Sequence, residues 1–221
     1  MKIIDPSFEI LTVIDGDGLL KQIELAARTC YKSEDKITGD SARRLVWQLL
    51  KSGHHSVIEH SSITVRFICD RGVSHELVRH RLAAFSQEST RYANYAKDKF
   101  GNEITVIRPF FWEKESAAYK IWHEAMLAAE KAYLGLIEGG AQPQQARSVL
   151  PNSLKTEVVM TCNLREWRHV LNLRCSPASH PQIREIMIPL LGVFHEQIPV
   201  LFDYLHERYF TDPNCPFALG R

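Results

Sequence analysis

Residues 61–69 read Ser-Ser-Ile-Thr-Val-Arg-Phe-Ile-Cys and alternate between apolar and polar side chains. Ile63, Val65, Phe67 and Cys69 fall on one side of that alternation. Successive side chains of a strand point to opposite faces, so the pattern predicts a half-buried β-strand. The sequence therefore predicts that part of a β-sheet is formed about one third of the way along the chain.

Helical spacing of apolar residues dominates the rest of the chain. The predicted helices are Leu19–Tyr31, Ser41–Lys51, Val73–Ala83, Glu113–Glu138, Pro143–Val149, Leu164–Leu173 and Pro181–Tyr209, the last with kinks at Pro189 and Pro199. Further strands are predicted at Phe8–Ile14, Ile104–Ile107 and Thr156–Thr161. We therefore expect a mixed α/β (α+β) fold, with a small, mainly antiparallel sheet flanked by long helices.

Local signals refine this outline. Asp15-Gly16-Asp17-Gly18 predicts a turn, and Ser41 is a plausible helix N-cap. No linker is visible, so residues 1–221 are expected to form a single domain. Residues 211–221 are interpreted as a loose C-terminal tail, with a subunit contact as the alternative.

Charge and cysteine usage exclude several classes of protein. Lys plus Arg number 27 and Asp plus Glu 26, a net charge of +1 that argues against a generic nucleic-acid binder. The five cysteines include no CxxC pair, so free thiols in a reducing cytoplasm are expected. No apolar run reaches the roughly 20 residues that span a bilayer, and we expect a cytoplasmic protein without membrane partners.

The most unusual segment is 79–92, where Arg79-His80-Arg81 ends a helical pattern and a polar Ser-Gln-Glu-Ser-Thr run follows. One interpretation is a helix C-terminus at which cations complement the dipole. The other is a phosphate pocket, because guanidiniums, hydroxyls and backbone N–H groups bind anions together. Composition alone leaves both open.

A second basic group follows downstream, comprising Arg147, Asn163, Arg165, His169 and Arg174 near the ends of predicted elements. Each arginine by itself is more often a solvated surface charge. Their density at element ends is what favours an anion-binding role.

Common cofactor and nucleophile signatures are absent. The chain contains no GxGxxG, GxxxxGK[ST], GxSxG or HExxH motif. His75 and His80 are too poorly spaced to share one helical face, so no metal is expected. A metal hydrolase built on the region His54–His80 remains an alternative.

Several motifs in order resemble one family. Arg79-His80-Arg81 is followed after seven residues by Ser89, which matches the RHR-x7-S motif of the flavin-dependent thymidylate synthases. Further matching segments are Gly53–His60, Ala146–Pro151, Asn163–Arg165 and Leu171–Arg174. The similarity runs from about Ala26 to Ile188.

The resemblance implies an enzyme that reductively methylates dUMP to dTMP. Methylenetetrahydrofolate would donate the carbon, NADPH would be the reductant, and FAD would pass the hydride. It also implies a homotetramer with active sites shared between subunits. The anionic load of these ligands agrees with the arginine-rich motifs.

Site residues carry over by resemblance, position by position. The implied dUMP contacts are Glu76, Arg79, Gln87, Ser89, Arg91, Arg147 and Arg174, and Arg174 is also the implied catalytic residue, a cation near the N3–C4=O edge of uracil. The implied FAD contacts are Ser56, Arg79, His80, Arg81, Gln87, Asn163, Arg165 and His169.

Some positions depart from the family's pattern. Glu76 stands where some members have Gln, and His169 replaces an Asn. The roles of His54 and His180 stay open. The alternative to an enzyme is a nucleic-acid-binding module that uses the Arg79–Arg91 patch and its neighbouring aromatic residues.

Overall fold

The computed structural model describes residues 1–210 and has the mixed α/β architecture that the sequence predicts. The strands are β1 (Lys2–Ile4), β2 (Ser7–Ile10), β3 (Ser62–Asp70), β4 (Ala83–Gln87), β5 (Thr105–Ile107) and β6 (Lys155–Asn163). The α-helices are α1 (Gly16–Thr29), α2 (Ser41–Lys51), α3 (Arg71–Leu77), α4 (Ala117–Glu138), α5 (Pro143–Ala146), α6 (Leu164–Arg174), α7 (Pro181–Gln197) and α8 (Pro199–Phe210). Short 3-10 turns lie at Glu34–Lys36, His55–His60, Asp98–Phe100 and Arg147–Val149. The predicted tail 211–221 lies outside the described residues.

The strands form two sheets. β1 and β5 pair in parallel, with Lys2 opposite Thr105 and Ile4 opposite Ile107. The other four strands form an antiparallel sheet in the order β2-β3-β6-β4. The predicted small, mainly antiparallel sheet is therefore confirmed.

Contacts along the chain define two compact units. Unit 1 contains Met1–Ser7, Arg66–Arg79 and Phe85–Val159. Unit 2 contains Phe8–Val65, His80–Ala84 and the chain from Met160 onward. Both units draw on the segment 79–92, because Arg79 belongs to unit 1, His80 to unit 2 and Ser89 to unit 1.

The alternation in residues 61–69 produces β3 as expected. Ile63, Val65, Phe67 and Cys69 are completely buried. At the end of the strand, the Asp70 carboxylate accepts a 2.7 Å hydrogen bond from the backbone N–H of Val73 and caps α3. One short segment thus sets both the buried face of the strand and the start of the next helix.

The core of unit 2 is aromatic and lies around α6, α7 and α8. Trp167 is completely buried and donates its indole N–H to the carbonyl oxygen of Ile63 at 3.0 Å. Its ring meets Phe194 edge-on, and Phe194 in turn contacts Phe202. Burial of such large rings, with the one polar atom satisfied, holds α6 firmly in its unit.

The core of unit 1 is built on α4. Trp122, Met126 and Tyr133 from this helix pack with Tyr95 and Leu154. The helix ends at Glu138, where Gly140 adopts a φ of +91° that only glycine takes without strain. The predicted end of this helix at Glu138 is therefore confirmed, whereas the helix begins at Ala117 rather than Glu113.

The prediction of a helix over Val73–Ala83 is wrong in its second half. α3 ends at Leu77, and Ala83–Gln87 forms strand β4. These five residues carry neither β-branched side chains nor clean alternation, so the local signal for a strand is weak. The sheet provides what the local sequence lacks, because β4 pairs with β6 and Glu88 N–H continues the ladder to the Glu157 carbonyl at 2.9 Å.

Other boundaries also differ from the prediction. The strand predicted at Phe8–Ile14 ends at Ile10, and α1 begins at Gly16 inside the predicted turn, capped by Asp15. The N-cap of α2 is Asp40 rather than Ser41, and the Ser41 hydroxyl instead donates to the buried Glu24 carboxylate.

The C-terminal helical region is two helices, not one kinked helix. Pro199 occupies the first position of α8, where its missing N–H is not needed, whereas Pro189 lies inside α7. Within residues 1–210, no helix is both long and apolar enough to cross a bilayer. Cys30, Cys69, Cys162 and Cys175 are all free thiols.

Candidate functional site

The predicted site residues divide between the two units, and each group has its own geometry. Unit 1 holds most of the predicted dUMP contacts, namely Glu76, Arg79, Gln87, Ser89, Arg91 and Arg147. Unit 2 holds Arg174 and most of the predicted FAD contacts, namely Ser56, His80, Arg81, Asn163, Arg165 and His169.

An open pocket of about 530 Å³ lies in unit 1. Gln87 and Ser89 line it, and both are predicted dUMP contacts. The other lining residues are Ser86, Glu88, Tyr92, Ala93, Lys99, Phe100, Lys155, Glu157 and Val159. The wall therefore combines hydroxyl and amide groups with two carboxylates, two ammonium groups and two aromatic rings, a lining suited to a small polar aromatic ligand.

The Gln87 side chain is held in a defined direction. Its amide nitrogen donates to the Ser74 hydroxyl at 2.9 Å and to the Thr156 hydroxyl at 3.3 Å. Among the described residues, no group donates to its carbonyl oxygen. Gln87 thus presents a preoriented acceptor.

The turn that follows β4 gathers polar and cationic groups. The Ser89 hydroxyl accepts from Arg91 N–H at 3.3 Å, and Arg147 donates to the Thr90 hydroxyl at 3.4 Å. Arg79 and Arg91 are exposed, and neither has a carboxylate partner among residues 1–210. Such guanidiniums remain available for a bidentate contact with phosphate.

Lys155 balances two acidic groups in the pocket. Its ammonium lies 2.6 Å from a Glu157 oxygen and 3.1 Å from a Glu88 oxygen. Burial lowers the pKa of Lys155, but hydrogen bonds and charges from Glu157 and Glu88 outweigh burial, so its pKa is raised overall. Lys155 therefore stays charged and offsets part of the negative charge of the two carboxylates.

A buried polar cluster lies in unit 2. His80 is only 4% exposed and Glu166 6%. Arg174 donates from Nε to Nε2 of His80 at 3.0 Å, while Nδ1 of His80 lies 3.6 Å from a Glu166 oxygen. The His169 ring approaches His80 edge-on, with 5.8 Å between centroids. The structure thus brings together three residues predicted from the motifs and one, Glu166, that was not.

The His80 ring in this cluster is neutral. Burial, the Arg174 charge and His169 lower the pKa of His80 to about 4. Because Nε2 accepts a hydrogen bond from Arg174, the single ring proton belongs on Nδ1, which faces the Glu166 carboxylate. The neighbours of His80 therefore define its tautomer.

The donor set of this cluster fits a metal ion poorly. Ligand atoms of His80, Glu166 and His169 lie within 4.8 Å of one another, close enough for a shared cation. However, one His80 nitrogen is engaged by a guanidinium and the other carries the ring proton in that arrangement. A permanent positive charge beside the ring also opposes a second cation.

The remaining predicted FAD contacts are more dispersed within unit 2. Ser56 is exposed on the 3-10 turn His55–His60, and Arg81 is exposed and without a carboxylate partner in the described chain. Asn163 caps α6 by accepting from Glu166 N–H at 2.9 Å. Arg165 forms an exposed ion pair with Glu59.

The structure also shows where three further residues of interest lie. Glu76 is half-buried on α3, and His54 is exposed just before the 3-10 turn. His180 caps α7, since its Nδ1 accepts from Gln182 N–H at 3.3 Å. A capping role explains His180 without any ligand.

Sequence reasoning missed Glu166, Lys155, Glu88 and Glu157. One signal could have identified Glu166, because it occupies the buried side of α6 beside Trp167 and Val170, where a lone acid is costly unless it is paired. Lys155 offered no such signal, since a lysine that opens a strand is ordinarily solvated.

Comparisons with known proteins identify a family that matches most of the chain. The Thy1 family model, described as thymidylate synthase complementing protein, matches residues 12–200. A flavin-dependent thymidylate synthase from Geobacter sulfurreducens is 32% identical, covering 88% of this chain and 84% of the relative. One from Pyrococcus abyssi is also 32% identical, covering 89% of this chain and 88% of the relative.

The fold also matches a solved structure. The crystal structure of the UMP/dUMP methylase PolB from Streptomyces cacaoi bound with 5-Br dUMP superposes with a TM-score of 0.75 at 25% identity. The match covers 92% of this chain and 96% of that one.

Proposed function

Because the chain belongs to the family of thymidylate synthase complementing proteins, we propose that it converts dUMP to dTMP by reductive methylation. Methylenetetrahydrofolate is the proposed carbon donor, NADPH the reductant and FAD the cofactor. Relatives at 32% identity over most of the chain carry the name flavin-dependent thymidylate synthase, which supports a flavin cofactor and a dTMP product. The folate donor and NADPH are proposed from the motif resemblance.

The observation that carries the proposal is the set of anion-binding groups around the unit 1 pocket. Gln87 presents an oriented acceptor and Ser89 a hydroxyl to the pocket. Arg91 does not line the pocket, but its backbone N–H donates to the Ser89 hydroxyl and its side chain has no carboxylate partner in the described chain. A nucleoside monophosphate needs this combination, because its base offers hydrogen-bond donors and its phosphate demands guanidiniums. We assign dUMP to this pocket.

The residues proposed to hold FAD suit a diphosphate. Arg79 and Arg81 are exposed and have no carboxylate partners among residues 1–210, so they can neutralise phosphate without breaking an existing ion pair. When bound, FAD supplies the hydride transfer, which explains why the chain needs no nucleophile of its own. Arg165 must release Glu59 if it is to contribute.

Arg174 is the proposed catalytic residue. It has a fixed guanidinium, since its Nε donates to the buried His80 ring. A cation held at the N3–C4=O edge of uracil stabilises negative charge that develops there as C5 becomes nucleophilic.

The first experiment is a visible absorption spectrum of the purified protein, followed by addition of dUMP. We expect a flavin spectrum that shifts with dUMP, and then dTMP formation with NADPH oxidation when methylenetetrahydrofolate is supplied. A colourless protein that takes up no FAD and ignores dUMP would contradict the assignment. The Arg79–Arg91 patch would then be tested as a nucleic-acid site by its affinity for oligonucleotides and the salt dependence of that affinity.

UMP is a second candidate substrate. It is favoured by one observation, the match to a solved structure named as a UMP/dUMP methylase. Rates with dUMP and UMP under the same conditions distinguish the two, because the nucleotides differ only in the 2′-hydroxyl. A dUMP preference of at least tenfold supports the synthase assignment.

We also propose a cytoplasmic homotetramer with shared active sites. Mixing Arg174→Ala subunits with Ser89→Ala subunits should then restore part of the activity. Some active sites of the mixed oligomer would contain an intact Arg174 from one subunit and an intact Ser89 from another. Absence of recovery in a verified mixed oligomer would contradict shared sites.

A further inference from the structure

A buried glutamate and a buried histidine lie directly behind the proposed catalytic arginine. Glu166 lies in the first turn of α6 and Arg174 is its last residue, eight residues further along and separated by about 12 Å of helix rise. His80, from outside that helix, fills the interval between them and contacts both. The three side chains form a chain of polar contacts that ends at the Arg174 guanidinium.

From this geometry we infer that Glu166 and His80 are positioning residues that fix the direction of the Arg174 guanidinium. This inference rests on the proposed function, in which Arg174 polarises the substrate. Glu166 acts through His80 and need not touch any ligand.

The tautomer of His80 is the physical link. An acceptor is needed at Nε2, because the Arg174 Nε–H points at it from 3.0 Å. A neutral imidazole has an acceptor at Nε2 only when its proton is on Nδ1. The carboxylate 3.6 Å from Nδ1 favours the proton there by charge attraction, so Glu166 keeps Nε2 free for the arginine.

Burial makes this control effective. His80 and Glu166 are nearly excluded from water, so solvent cannot replace a lost partner. The charged and titratable groups that face His80 are Glu166, His169 and Arg174, all on α6. With one rigid helix carrying all three, a change at Glu166 leaves the backbone position of Arg174 intact and alters only its side-chain partner.

The first test is Glu166→Gln in the flavin-loaded enzyme. A glutamine amide can donate to Nδ1 as well as accept from it, so the ring can move its proton to Nε2 and place an N–H against the arginine. We expect kcat for dTMP formation, per bound flavin, to fall about 10- to 100-fold, with a smaller change in KM for dUMP. Glu166→Asp should recover part of the loss.

Glu24→Gln is the matched control. Glu24 is also a buried glutamate of unit 2, 1% exposed, and it pairs with Arg28 and Ser41 far from the motif residues in sequence. Its substitution removes a buried charge of the same type but leaves the His80 tautomer alone. We expect lower thermal stability and unchanged kcat.

A second pair of variants tests whether Arg174 requires a hydrogen-bond acceptor at the position of His80 Nε2. A glutamine side chain carries its amide to the position of the histidine Nε2, whereas an asparagine reaches only that of Nδ1. His80→Gln can therefore keep an acceptor for Arg174, and His80→Asn cannot. We expect His80→Gln to exceed His80→Asn in kcat per bound flavin by about tenfold.

Nitrogen-15 NMR of histidine-labelled protein reads the tautomer without any turnover. The inference requires an unprotonated Nε2 on His80 at neutral pH, and a protonated fraction there in Glu166→Gln. Protonated Nε2 in the wild type, or wild-type kcat in Glu166→Gln, would overturn it. If the wild type binds flavin yet fails to methylate dUMP, the proposed function fails and the catalytic part of this inference fails with it.

Discussion

The exposed arginines of unit 1 and the buried cluster of unit 2 handle their charges in opposite ways. Arg79 and Arg91 of unit 1 are exposed and carry no carboxylate partner within the described chain. In unit 2, His80 and Glu166 are almost completely buried and Arg174 is hydrogen-bonded to the ring. These two arginines of unit 1 remain available, although Lys155 in the same unit is paired with Glu88 and Glu157. The unit 2 cluster has committed its polar groups to one another.

The difference follows from the cost of desolvation. An unpaired guanidinium is tolerated in water but not in the interior, so a phosphate-binding arginine is kept at the surface until its ligand arrives. A residue that must point in one direction needs fixed neighbours, and burial supplies them. The cost of burial is that every polar atom there must have a hydrogen-bond partner. We therefore expect substitutions in unit 1 to act mainly on binding and those in unit 2 on turnover and stability.

The largest effect should come from Arg174→Ala. We expect kcat for dTMP formation to fall about 100- to 1,000-fold, the usual consequence of removing a donor that stabilises developing charge. Steady-state kinetics on flavin-loaded protein checks this. Arg208→Ala is the control, because this exposed arginine of α8 is not a predicted site residue; it donates to Asn172 and lies over the Tyr209 ring. If kcat of Arg174→Ala lay within threefold of the wild-type value, the proposed difference in role between the two units would be contradicted.

Next in size is the pH dependence of stability caused by His80. Its pKa is about 4 in the folded chain and about 6.5 when unfolded, so the unfolded state alone binds a proton between these values. Stability should therefore fall as pH drops below 6.5, by roughly 3 kcal/mol at pH 4. Urea unfolding of wild type and His80→Gln at pH 7 and pH 4 measures the difference. Equal losses in both proteins would show that His80 is not the group responsible.

A smaller effect is expected for Lys155→Met in the unit 1 pocket. Without the ammonium, Glu88 and Glu157 face the ligand uncompensated, and the dissociation constant of dUMP should rise about tenfold. Calorimetric titration measures it. Lys120→Met removes an exposed lysine 3.8 Å from Glu115 and should change nothing. Equal dUMP affinity in the two variants would place the nucleotide elsewhere.

The smallest effect should follow Arg91→Ala. KM for dUMP should rise about five- to tenfold and become less sensitive to salt, because an exposed cation acts through a screened attraction. The free energy of unfolding should change by no more than about 0.5 kcal/mol, since this exposed side chain has no carboxylate partner among residues 1–210 and contacts only the exposed Tyr92 ring there. Lys97→Ala, an exposed neighbour, serves as the control. A large stability loss in Arg91→Ala would mean that this arginine has a structural role and is not held available for a ligand.

Much of the fold was readable because its elements carry strong local signals. The alternation of residues 61–69 and the long apolar periodicity of α4 both produced the predicted element. β4 was missed because Ala83–Gln87 has no strand pattern of its own and becomes a strand by pairing with β6. The N-cap of α2 at Asp40 and the start of a separate helix at Pro199 also differ from the prediction. The reason is similar, since the partner of Ser41 and the first turn of α8 depend on residues distant in the chain.

The site was predicted from motifs, and its supporting residues were not. Arg79, Ser89 and Arg174 stand out in the chain because they belong to ordered motifs. Glu166 and Lys155 do not, since an acid in a helix and a lysine at a strand end are common on any surface. Glu166 is distinguished by its burial beside His80, and Lys155 by its position between two carboxylates. No spacing along the chain reveals either feature.

Composition and local pattern were enough to establish the class of fold, the main helices and the arginine motifs that anticipate an anionic ligand. These features depend on neighbours within a few residues, and short-range sterics and periodicity govern them. Strand β4, the pairing of Lys155 and the Glu166–His80–Arg174 contacts required the folded chain. His80 and Glu166 are 86 positions apart, and desolvation and partner choice arise only when such distant residues are buried together.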